Sequence, residues 1–67
     1  MKAFKVGQTI AKLSNDEIEI MGEIQKIDDK QVIIDIILHT NQKWLGQSFP
    51  IHIAHAQYRY IIISESK

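Results

Sequence analysis

The stretch Val32-Ile33-Ile34-Asp35-Ile36-Ile37-Leu38 decides how this chain is read. Its side chains are almost all aliphatic and mostly β-branched, which favours a strand. Alternation sends Val32, Ile34, Ile36 and Leu38 to one face, while Ile33 and Ile37 flank Asp35 on the other. A strand that is apolar on both faces needs cover on both. A chain of 67 residues is a single domain, residues 1–67, with one small core. One face meets that core; the other must meet a loop, a short helix or another chain. Contiguous exposed apolar surface is rare in monomers. The expected cover is therefore a second copy, in a homodimer or a higher ring, with Ile33, Asp35 and Ile37 at the contact. Tyr60-Ile61-Ile62-Ile63 is apolar on both sides in the same way and adds Ile62 to that face. Asp35, set between two isoleucines, must pair, hydrogen-bond or reach water, because burying a lone carboxylate is very costly. Arg59 or a histidine across a subunit contact would satisfy it, and so would a solvent-facing place at a sheet edge.

Outward from this segment the period stays near two. Val6-Gly7-Gln8 reads as a turn that feeds a strand at about Thr9–Leu13, and Ser14-Asn15-Asp16 is a cluster of turn formers. Glu17–Ile27 reads as a second strand, with Ile18, Ile20 and Ile24 opposite Glu19, Met21 and Glu23. Gly22 falls on its apolar face, where a missing side chain permits a bulge or a bend, and the broken parity of Ile27 fits a bulge as well. Asp28-Asp29-Lys30 is a hairpin turn and Gln31–Leu38 the third strand. Phe49–Ala54 alternates as a fourth, placed at an edge or started by Pro50, which has no N–H for a ladder bond. His55-Ala56-Gln57 reads as one helical turn before a fifth strand at Tyr58–Ser64. The fold expectation is all-β: a small barrel or strongly bent sheet of about five antiparallel strands.

Composition narrows the class. The chain has fourteen isoleucines and no cysteine, so it is not a disulfide-stapled secreted domain. Domains this small usually add bridges, a metal or a partner to a thin core, and association is the extra source of stability expected here. No apolar run approaches a membrane span, and Met1-Lys2-Ala3-Phe4-Lys5 lacks the apolar stretch of a signal peptide, so the expected location is the cytoplasm, without membrane attachment. Eight basic and eight acidic residues cancel in sum only. Residues 1–13 carry +3, residues 14–35 carry −5 and residues 36–67 carry +2. Such polarity suits docking of an acidic patch on a basic one, or reflects a solvated acidic hairpin.

The catalytic inventory is thin, and the expectation is a non-enzyme without cofactor or metal. There is no cysteine nucleophile and no glycine-rich phosphate loop. His39, His52 and His55 lack acidic or cysteine ligands at useful spacing and read as polar rim residues. Trp44, in Asn41-Gln42-Lys43-Trp44-Leu45-Gly46, is either a binding anchor in a polar connection or, with Leu45, a plug over one end of the core. Lys43 beside it would help the ring stack on a base. Tyr58-Arg59-Tyr60, on a strand, would set both tyrosines on one face and arginine on the other, a composition suited to nucleic acid.

Phe4-Lys5-Val6-Gly7-Gln8-Thr9-Ile10, Gly22-Glu23-Ile24 and Val32-Ile33-Ile34 together resemble the opening of SH3-like small barrels. Val6-Gly7-Gln8-Thr9-Ile10, Asp16-Glu17-Ile18, Gln31-Val32 with Ile34, and Tyr58 resemble the carbon storage regulator family of small dimeric β proteins that bind messenger RNA. Ile20-Met21-Gly22-Glu23-Ile24 with Ile27-Asp28, and Ala54-His55-Ala56, resemble Sm-like RNA chaperones. These resemblances imply RNA as the alternative ligand and transfer no site. Pro50-Ile51-His52-Ile53 does not reproduce the active-site strand of the plasmid-type dihydrofolate reductase barrel, which begins similarly. The sequence thus points to a non-catalytic binding or regulatory protein. Its partners are expected to be itself and another protein, with RNA as the alternative.

Overall fold

The computed structural model describes residues 3–64. Five strands form one antiparallel sheet: β1 (Thr9–Ser14), β2 (Glu17–Ile27), β3 (Gln31–His39), β4 (Ser48–His52) and β5 (Tyr60–Ser64). Their order across the sheet is β4-β3-β2-β1-β5, so β4 and β5 are its two edges. The sheet is strongly bent and not closed, and the all-β expectation holds in its bent-sheet form. Pro50 does lie in an edge strand.

Local chemistry explains each boundary. Asn15 and Asp16 both take positive φ, 52° and 65°, which fits the two-residue turn that matches strand twist in a tight hairpin. The next turn closes on Asp28, whose Oδ1 accepts from the backbone N–H of Lys30 at 2.8 Å and of Gln31 at 2.9 Å. Register shifts occur between Lys12 and Leu13, between Met21 and Gly22, and between Ile24 and Lys26. The last two are the irregularities foreshadowed by Gly22 and by the parity of Ile27. Bulges add bend and twist, which is how a single sheet wraps its own core.

That core is Ile10, Ile20, Ile24, Val32, Ile34, Ile36 and Ile51 with Ala56 and Tyr60, all buried. Gln8 is buried too. Its Oε1 accepts from the N–H of Lys5 at 2.8 Å, and its carbonyl accepts from the N–H of Ile24 at 2.8 Å, tying the N-terminal segment to β2.

The chain departs from expectation after β4. A helix, α1 (Ile53–Arg59), replaces both the end of the expected fourth strand and the start of the fifth. His52 Nδ1 accepts from the N–H of Ala54 at 3.1 Å and caps it, and the N–H of Ile53 donates to the carbonyl of Lys30 at 2.7 Å. With these start signals, Ala54 and Ala56 continue helically where alternation alone suggested extension. Ala56 turns into the core.

Candidate functional site

The outer face of the sheet, away from the core, carries the features expected of an interaction site. Ile61 stands opposite Ala11, Ala11 opposite Met21, and Met21 opposite Leu38, a row across β5, β1, β2 and β3. Ala11 is buried yet takes no part in the core cluster. Ile37 is the extra residue of the bulge opposite Met21 and Gly22, and it is 52% exposed. Ile63 follows Ile61 along β5 and is 47% exposed; Ile61 and Leu38 are exposed as well. Ile33 and Asp35 continue the face toward β4, both half-buried. Asp35 accepts a hydrogen bond from Ser48 Oγ at 3.1 Å and faces Glu23 across the ladder, so neither Arg59 nor a histidine is its partner in one chain.

Ile33, Asp35 and Ile37 therefore share the face that alternation gave them. Ile62 does not. It packs against the core from β5, while Ile61 and Ile63 take the outer side. Leu38 moves the opposite way: simple parity set it with Val32, Ile34 and Ile36, and the bulge at Ile37 turns it outward. Sequence reasoning missed Met21, Leu38, Ile61 and Ile63. For β5 the signal was alternation itself, which sets Ile62 on the side of Tyr60 and Ile61 opposite; Tyr60 and Ile62 are the pair turned to the core.

The aromatic candidates separate. Tyr58 and Arg59 belong to α1 and Tyr60 to β5. Tyr58 is 82% exposed and Tyr60 only 3%, so the two tyrosines do not share a face and the expected platform is absent. Burial, and then the charge of Glu19, push the Tyr60 phenol above its usual 10.0. Its ring meets His55 edge-on with centroids 5.9 Å apart.

Trp44 lies in a short 3-10 turn, Gln42–Trp44, that Asn41 caps through its Oδ1. Its ring stacks on His39 at 6.1 Å between centroids and meets Phe49 edge-on at 6.0 Å, with Lys43 Nζ 5.8 Å from its centre. Phe49 in turn packs against the core. Trp44 is 37% exposed and outside the core cluster, hence a lid on Phe49 with one side open to solvent.

The histidines have structural work. His39 Nδ1 accepts from the N–H of Asn41 at 2.9 Å, and His52 caps α1. Among the described residues no group of histidines and carboxylates could hold a metal ion. A cleft beside the first hairpin is lined by Ser14, Asn15, Glu17, Ile18, Glu19 and Thr40, and it is open to solvent. The acidic residues are spread along the hairpins: Asp16 and Glu17 at one end of β2, Glu23 opposite Asp35 in its middle, and Asp28 and Asp29 at the other end. Among the described residues no helix is long and apolar enough to cross a membrane. Comparison with protein-family models, curated proteins and solved structures finds no match to this chain.

Proposed function

We propose that this chain is a non-catalytic association domain that binds protein, in the first place another copy of itself, through the outer face of its sheet. The observation that carries this reading is the row Ile61, Ala11, Met21, Leu38, with Ile37 and Ile63 beside it: Ile37, Leu38, Ile61 and Ile63 are exposed and Met21 is half-buried around the buried Ala11. Exposed large aliphatic residues scattered singly need no explanation; four of them on one face, flanking Met21, do. In so small a domain, covering it also adds stability that one core does not supply.

The test is a charge placed in the row. Ile61 is half-exposed, so Ile61→Lys leaves the core intact. Light scattering should report a mass above 7.8 kDa that grows with concentration for the natural chain, and a fall toward 7.8 kDa for the variant. Equal masses for the two chains contradict the reading.

RNA is the second reading, favoured by one observation: Trp44 keeps an open side with Lys43 above its ring. Single-stranded RNA bound there would be released steeply by salt and lost in Trp44→Ala.

A further inference from the structure

We infer that His39 and His52 make an acid-sensitive clasp: protonating the two imidazoles loosens the arm formed by β4 and α1 while the rest of the sheet stays folded. The inference is independent of the association reading. Asp28, His39, Asn41 and His52 each accept the backbone N–H two residues on, from Lys30, Asn41, Lys43 and Ala54. Asp and Asn ordinarily do this at turns and helix starts. Histidine can do it only as the neutral tautomer with its proton on Nε2, which leaves Nδ1 as an acceptor. A second proton, on Nδ1, sets donor against donor and removes the bond.

The two histidines bracket one stretch of chain. His39 ends β3 and opens the connection that carries the 3-10 turn; His52 ends β4 and opens α1. Between them β4 is an edge strand, paired with β3 alone. The arm places Ile51 and Ala56 in the core, with Phe49 and Ile53 packed against it, so loosening it uncovers one side of that core.

The surroundings do not hold the charged form. Near His52 stand Gln31 across the ladder, Lys30 with Asp28 and Asp29 in the preceding turn, and His55 and Arg59 on α1. Near His39 stand Ile20 across the ladder, Glu19 beside it, and Lys43 next to the stacked Trp44. Among the described residues neither imidazole forms an ion pair with any of these. Imidazoles without such backbone bonds charge at about pH 6.5, so the loosened arm takes up protons there, while the latched arm has no free Nδ1 to receive one. The clasp is therefore closed above about pH 7 and yields as the pH falls toward about 5.

Native-state hydrogen exchange of the full chain at about pH 7.5 and about pH 5.5, corrected for the pH dependence of exchange itself, tests this. The N–H of Ile53 donates to the carbonyl of Lys30 and reports on the arm; that of Ile24 donates to the carbonyl of Gln8 and reports on β2. Protection of Ile53 should fall about three- to tenfold at the lower pH, as the loss of a helix cap implies, with Ile24 unchanged. His52→Asn keeps an acceptor that takes no proton and should preserve most of that protection in acid; adding His39→Asn should abolish the loss. His55→Asn removes the third histidine, touches neither bond, and should behave as the natural chain. Asn is a favoured cap, and circular dichroism checks that each variant folds. A loss that persists in the double variant overturns the clasp. So does full protection of Ile53 in the natural chain at the lower pH. An equal fall at Ile24 and Ile53 overturns it too, because the whole domain would then be unfolding in acid.

Discussion

At Gly22 a Cβ would stand 2.7 Å from the carbonyl oxygen of Asp35 and 2.8 Å from Ile34 Cδ1. The first of these is strand backbone and the second a fully buried side chain, so neither yields cheaply. Gly22→Ala should cost about 1–3 kcal/mol, seen as a lower urea midpoint; an unchanged midpoint would show that β3 can move aside at no cost. Asp28 makes a different kind of contribution. The N–H groups of Lys30 and then Gln31 hold its carboxyl below the ordinary 3.8. A depressed folded value means that the turn is strengthened above about pH 4 and loses that strengthening as pH falls through the folded value. The stability difference between the natural chain and Asp28→Ala should therefore be flat near neutrality and shrink below about pH 4. A difference that stays constant into acid would assign the effect to something other than the carboxylate.

At the scale of elements, the hairpin between β1 and β2 carries two left-handed residues without a glycine. Asp16→Gly should relieve that conformation and raise stability by about 0.5–1 kcal/mol in thermal or urea unfolding; a loss of stability would mean that the Asp16 side chain contributes to the turn. The strands were legible in the sequence where the period of two ran undisturbed. Glu17–Ile27 was read to the residue, and Gly22 and Ile27 announced their bulges. Legibility failed at Ile53–Arg59, because Ile51 and Ile53 prolong an alternation that tertiary contacts end. The cap from His52 and the bond from Ile53 to Lys30 come from groups that sequence spacing does not mark. That one misreading put Tyr58 and Arg59 on the sheet, where they do not lie. Leu38 was misplaced for a related reason, since a bulge reverses parity for every residue beyond it.

For the whole molecule, one core uses Ile10, Ile20, Ile24, Ile34, Ile36 and Ile51, and the bent sheet leaves Ile37, Ile61 and Ile63 outside it. Covering that aliphatic row is the role assigned here to a second copy, and it ties the stability of the domain to its concentration. The most direct measurement is sedimentation equilibrium of the natural chain from low micromolar to several hundred micromolar. The account predicts a mass that climbs from 7.8 kDa toward twice that value as concentration rises; a mass fixed at 7.8 kDa across the range would contradict it.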